Sequence, residues 1–245
     1  HKEYRRQRQM CIRDRAIDHT VYTVDLLGCG RSDKSSITYT NFVYVQMISD
    51  FIKKIIGQKT DVIASGFSGS FVTMACHNEK ELFNKIMLVN PPSLTQLKQM
   101  PNRKDRLLKA ALEIPIFGTL VYHMIVSRDN INNLFIEKMY YNPFHVDNQM
   151  ADAYYEAAHK GGYYTRFLYS SLAAKYININ ICHALKALDN SIYIVEGETE
   201  PNGKAVTDDY CASNPAIEVS VLKETKHLPH VEAPEAFLEQ VKIFF

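Results

Sequence analysis

The sequence predicts an α/β fold, a mostly parallel sheet with helices on both faces, and three observations carry that reading. Short apolar runs alternate with stretches of helical period, as strand-helix-strand units do. Residues 86–90 and 191–195 are apolar almost throughout, the pattern of strands buried on both sides. Between residue 91 and about residue 181 the strand pattern disappears and the periodicity is helical, over a length too great for a structureless loop.

The elements follow in order. Val21-Tyr-Thr-Val-Asp25 reads as a strand entering the Gly-rich turn Gly28-Cys-Gly30-Arg-Ser32-Asp33. Residues 41–57 place Val45, Ile48, Phe51, Ile52, Ile55 and Ile56 on one helical face and stop at Gly57. Asp61-Val-Ile-Ala-Ser65 is a strand that breaks at a small-residue turn, Gly66-Phe-Ser68-Gly69-Ser70, and resumes as a helix over residues 71–78. The strand at 86–90 precedes the helical stretch. After it come the strand Ser191-Ile-Tyr-Ile-Val-Glu-Gly197 and a second strand from Glu218, and a helix over 234–245 closes the sheet with Phe237, Val241 and Phe244 facing inward.

Four motifs stand at the ends of these strands. Gly66-x-Ser68-x-Ser70 suits a nucleophilic serine, because a tight strand-to-helix turn tolerates only small flanking residues and lifts the hydroxyl clear of the sheet. Gly197-Glu-Thr-Glu200 places an acid after the next strand but one, and Lys226-His227-Leu-Pro229-His230-Val-Glu232-Ala-Pro234-Glu places a histidine after the last. With the Asp25-x-x-Gly28-x-Gly30-x-Ser32 turn, the set resembles the α/β-hydrolase family over roughly residues 18–245.

That resemblance implies an α/β-hydrolase fold, a helical cap inserted over the nucleophile, and a Ser-acid-His triad. The implied roles fall on Ser68 as nucleophile, His227 as base and Glu200 as acid, with the N–H of Gly69 in the oxyanion hole. The chain departs from the family at two places: glutamate stands where aspartate is usual, and Lys226 stands before His227 where glycine is usual. Glu198, Asp208 and Asp209 remain alternatives for the acid, and His230 for the base. Residue 90, where some relatives place the acid, is Asn90 and carries no carboxylate. A serine nucleophile disfavours the branches that use an aspartate ester. Carboxylesterase, thioesterase, amidase, C–C hydrolase and acyltransferase chemistries stay open, as does a non-catalytic protein of the same fold that binds a ligand or partner.

The amino-terminal end differs from the family pattern. The resemblance implies three strands and a His-Gly loop before Asp25, yet the chain opens His1-Lys-Glu-Tyr-Arg-Arg-Gln-Arg-Gln-Met-Cys11-Ile-Arg-Asp-Arg15, with six Lys/Arg against two acids. Residues 1–15 resemble translated sequencing-adapter read-through and are set aside as a non-native segment, with the first strands expected to be missing. The domain reading is then 16–91 and 182–245 as the hydrolase core and 92–181 as the cap. The family's sheet order puts a third strand between those at 21–25 and 61–65, so each is expected to expose an unpaired edge, with poor solubility as the consequence.

Composition excludes several classes. The chain has 245 residues, 46% of them hydrophobic, which is enough for one core with an insertion. The net charge is +1, and without the basic head the remainder is acidic, so no field for nucleic acid is expected. No apolar run approaches the roughly 18 residues of a membrane span, and no membrane partner is expected. Five scattered cysteines lack metal-ligand spacing and read as reduced thiols in a cytoplasmic protein. No cofactor or metal is expected, and Gly28-x-Gly30 lacks the third glycine of a dinucleotide site. The expected partner is a small acyl substrate, received in a cap whose tyrosines (Tyr140, Tyr154, Tyr163, Tyr169) would make an amphipathic pocket or pack helices together, with His159 as a polar member. Oligomeric state is not written in this sequence.

Overall fold

Four parallel strands, β1 (Thr60–Ser65), β2 (Phe83–Val89), β3 (Ile192–Gly197) and β4 (Glu218–Leu222), form a sheet in the order β1-β2-β3-β4. The computed structural model describes residues 19–146 and 148–245. Residues 1–15, read above as non-native, lie outside them.

The period of two along each strand sorts the core into two layers. Ile86, Leu88, Ile192 and Ile194 face one side, where they meet Tyr44, Phe71, Val72 and Tyr210. Met87, Val89, Tyr193 and Val195 face the other and pack on Phe237 and Val241. The register Ile86↔Ile192 and Leu88↔Ile194 puts like faces together across the central pair. Fully burying side chains of this size contributes about 1.5–3 kcal/mol each, so the apolar runs hold β2 and β3 at the centre.

Helices cover both layers as expected. Helix α1 (Asn41–Phe51) continues as a widened π turn over Ile52–Ile56 and closes on Gly57, whose N–H reaches the Ile52 carbonyl at 2.7 Å. The extra residue in that turn rotates Ile55 outward, to 61% exposure, against the sequence expectation that it faces the core with Ile52. Helix α2 (Phe67–Asn78) links β1 to β2. It starts four residues earlier than the periodicity predicted, which matters for the site below.

Between β2 and β3 the chain runs through short helices: α3 (Leu94–Leu97), α4 (Arg103–Glu113), α5 (Phe117–Ile125), α6 (Arg128–Leu134), α7 (Asn148–His159), α8 (Thr165–Ala173) and α9 (Cys182–Ala187). Helix α10 (Gly203–Ser213) joins β3 to β4, and α11 (Pro229–Glu232) and α12 (Pro234–Phe244) end the chain. The helical insertion has its own cluster of Ile131, Phe135, Tyr140 and Met150, which also holds Leu228 from the loop after β4.

The strand expected at 21–25 is not one. That segment forms no ladder, and among the described residues nothing pairs with the outer edge of β1. A strand exists only through its neighbours' hydrogen bonds, and here a gap separates the two segments. Its Gly-rich turn is nevertheless ordered around Asp25, which accepts from the Arg31 N–H at 3.0 Å. A side chain at Gly30 would come within 2.5 Å of the Asp25 carboxylate and would have to displace it, and φ of 48° also favours glycine there. Among the described residues, no single helix is long and apolar enough to cross a membrane.

Candidate active site

The turn between β1 and α2 places its strain on Gly66. Gly66 has φ 57° and ψ −132°, a region open essentially to glycine alone, and its N–H is fixed by the Val89 carbonyl at 2.9 Å. Sequence reasoning assigned the strained position to Ser68. Because α2 begins at Phe67, Ser68 lies in the first helical turn instead, with its Oγ donating to the Ser65 carbonyl at 2.6 Å. The N–H of Gly69, expected to face an oxyanion, donates to the Gly66 carbonyl at 3.1 Å. Gly69 also lets α2 lie close on the sheet, since a Cβ there would stand 3.1 Å from Leu88 Cδ2.

On the other side of the sheet edge, the loop after β3 folds back on itself. Glu200 N–H reaches the Gly197 carbonyl and Gly203 N–H reaches the Glu200 carbonyl, both at 3.0 Å. This tight turn presents the Glu200 carboxylate to His227, with Oε1 3.0 Å from Nδ1. The competing acids do not reach it. Glu198 accepts the Glu224 N–H at 2.9 Å, and Asp208 and Asp209 stand exposed on α10.

Three contacts hold the loop that carries His227. Its own N–H donates to the Met139 carbonyl of the insertion at 3.1 Å. Glu232 accepts from Lys226 N–H at 2.8 Å with one oxygen and from Tyr141 N–H at 2.7 Å with the other. Asn90, at the end of β2, donates to the carbonyls of Lys226 and His227. Sequence reasoning passed over Asn90 because it looked for a carboxylate at that position. The signal was a polar residue directly after the apolar run over residues 86–89 that ends β2.

Two further groups are shaped by burial. His230 is lowered to about 4 by its burial and by His227 beside it, so it is neutral at pH 7. Glu196, the last side chain of β3, is only 5% exposed, and burial holds its carboxyl above the usual carboxylate range. The expected pocket residue His159 turns elsewhere, stacking on His123 at 4.9 Å while Nδ1 contacts the Tyr155 carbonyl.

A cavity of about 2330 Å³ runs along the site. It exceeds the roughly 300–1,000 Å³ of small-ligand pockets because it joins two spaces: the gap between residues 19–26 and β1, and a space under the insertion lined by Tyr122, Tyr154 and Tyr169. Ser68 and His230 line it, whereas His227 and Glu200 do not. The structure thus brings Glu200 and His227 together, and no hydrogen bond joins Ser68 to His227 among the described residues. Nor do three His, Cys, Asp or Glu side chains there group as a metal site would.

The sequence matches the model of the alpha/beta hydrolase family over residues 4–240. Similar solved structures include the 2-hydroxy-6-oxo-6-phenylhexa-2,4-dienoate hydrolase of Rhodococcus sp. strain RHA1, with TM-score 0.74 and 17% identity over 97% of this chain and 83% of that one. The epoxide hydrolase CorEH superposes with TM-score 0.77 and 15% identity over 98% and 86%. A thermophilic esterase of Thermogutta terrifontis superposes with TM-score 0.73 and 12% identity over 98% and 84%. At these identities the likeness is one of fold. No curated protein sequence matches the chain.

Proposed function

The chain belongs to the α/β-hydrolase family, and from that membership we propose that it hydrolyses a small carboxylic ester, thioester or related acyl substrate through Ser68, His227 and Glu200. The observation that carries the proposal is the 3.0 Å contact between His227 Nδ1 and Glu200 Oε1. A carboxylate that accepts the Nδ1 proton leaves Nε2 with a free lone pair, the tautomer a general base needs, and stabilises the imidazolium that follows.

In the proposed reaction His227 Nε2 takes the Ser68 proton as Oγ attacks the acyl carbonyl. Amide N–H groups at the start of α2, Gly69 among them, meet the oxyanion. Collapse of the tetrahedral species expels the alcohol or thiol, protonated by His227, and water then repeats the sequence to release the acid. For this, Ser68 must exchange its bond to the Ser65 carbonyl for one to the imidazole, and Gly69 must release the Gly66 carbonyl. The tyrosines that line the cavity would form the cap side of the acyl pocket.

Gly66 favours a second reading, a hydrolase-fold protein that binds a small ligand without turnover. The strained apex, where a nucleophile would stand clear of the sheet, carries no side chain. A fluorophosphonate probe separates the two. Labelling that disappears in Ser68→Ala and His227→Ala and slows strongly in Glu200→Gln supports the triad. Labelling that persists in Ser68→Ala removes Ser68 as nucleophile. Absence of labelling in the wild type, with its appearance in Gly66→Ser, establishes the second reading.

A further inference from the structure

Helices α4 and α5 meet at a corner whose outer surface is left bare among the described residues. Leu107, Ile114, Ile116, Phe117, Leu120 and Met124 are each between 50% and 86% exposed. Leu107 lies on α4 and Ile114 directly follows its end, and Phe117, Leu120 and Met124 repeat at i, i+3 and i+7 along α5. The opposite faces bury Leu112 and Tyr122, so these helices are amphipathic with a second, outward apolar stripe. Single exposed apolar residues are ordinary, but six gathered on one helix corner suit a contact surface.

The corner is built to hold that shape. The two helices bend through 98°, and a Cβ on Gly118 would stand 1.9 Å from the Leu112 carbonyl oxygen, so only glycine closes the turn. At its tip Ile116 has φ 67°, a left-handed conformation that a β-branched residue rarely accepts. This strained residue is also the most exposed of the six.

Charge points to the occupant. Arg103, Lys104 and Arg106 stand exposed on the outer side of α4 beside Leu107. The acids within α4 and α5 are both engaged. Asp105 caps its own helix with Asn102 and pairs with Lys175, and Glu113 pairs with Lys109 and accepts from Ser170. The outer surface of α4 and α5 therefore offers apolar side chains and cations, and among the described residues no acid of these two helices is left to answer them. A symmetric contact between two copies would set this same surface against itself, cations included.

We propose that the α4–α5 corner is a docking surface for an anionic phospholipid bilayer. Ile116, Phe117, Leu120 and Met124 enter the boundary between headgroups and acyl chains, and Arg103, Lys104 and Arg106 meet the lipid phosphates. The sequence expectation of no membrane partner rested on the lack of a spanning run, and an interfacial contact needs none. Tyr122 and Val126, on the inner side of the same segment, line the cavity that reaches Ser68. The docked face would therefore be a wall of that cavity.

Vesicle flotation tests this, because protein aggregates stay at the bottom of the gradient while bound protein rises. The full chain is expected to float with phosphatidylcholine vesicles containing phosphatidylglycerol and to bind about tenfold or more weakly without the anionic lipid, or as Arg103→Glu/Arg106→Glu. Leu120→Glu/Met124→Glu, whose circular dichroism and melting should match wild type at these exposed positions, is expected to lose flotation. Ser68→Ala should float like wild type, so the outcome is separate from the fate of the catalytic proposal. Absence of flotation with anionic vesicles, or flotation unchanged in Leu120→Glu/Met124→Glu, would overturn the proposal. So would a dimer in sedimentation velocity that Leu120→Glu/Met124→Glu dissociates, which would assign the surface to a second copy.

Discussion

The side-chain amide of Asn90 donates to the carbonyl oxygens of Lys226 at 2.8 Å and His227 at 2.9 Å, while its own oxygen accepts the Gly197 N–H at 3.0 Å. One buried side chain thereby ties the ends of β2 and β3 to the loop that aims the histidine. Only an amide has both the donors and the acceptor this takes. Asn90→Asp keeps the shape but sets an acceptor against two carbonyls. It is expected to cost about 1–3 kcal/mol in chemical denaturation and to lower kcat more than it raises KM. Unchanged stability and rate would mean that the loop is held without it.

Gly66 supports a prediction about strain. No atom lies within 4 Å of a Cβ built there, so Gly66→Ala meets no clash and its cost is that of the backbone alone. A loss on the order of 1–3 kcal/mol is expected in urea unfolding. Ser68→Ala, which removes one partly exposed hydrogen bond, should cost about 0.5–1.5 kcal/mol. If Gly66→Ala proves neutral, the turn relaxes in solution and the strain assigned to it is wrong.

His230 makes stability depend on pH. Its folded-state value of about 4 lies below its ordinary 6.5, so between the two the unfolded chain binds more protons than the folded one. Stability is then complete above pH 6.5 and falls as pH drops toward 4, by roughly 3 kcal/mol at most from this group. His230→Gln should flatten that part of the curve of melting temperature against pH. An identical slope in wild type and variant would show that His230 takes up its proton in the fold as readily as in the unfolded chain.

The outer edge of β1 supports a prediction about solubility. Ile63 is 41% exposed on this edge strand, beside backbone groups that no strand pairs among the described residues. Ile63→Lys is expected to reduce self-association in light scattering while changing stability by no more than about 0.5 kcal/mol. A wild-type chain that is monodisperse at high concentration would remove the premise.

By itself the sequence determined what depends on neighbours along the chain. Alternating apolar runs and helical periods specified a parallel sheet with helices on both sides, and the loss of strand pattern after β2 specified a helical insertion, because burial is written locally as a period of two or of 3.6. The order of Gly66-x-Ser68, Glu200 and His227 at successive strand ends was legible for the same reason. Tertiary structure alone decided what depends on distance across the sheet. Strand register and the turn after Gly197 select Glu200 over Glu198, Asp208 and Asp209 as the acid that meets His227. The start of α2 at Phe67 moved the strained turn from Ser68 to Gly66, since helix boundaries depend on packing as much as on propensity. A period cannot say which of two helix faces finds a partner, so the bare corner of α4 and α5 came into view only once the chain had folded around it.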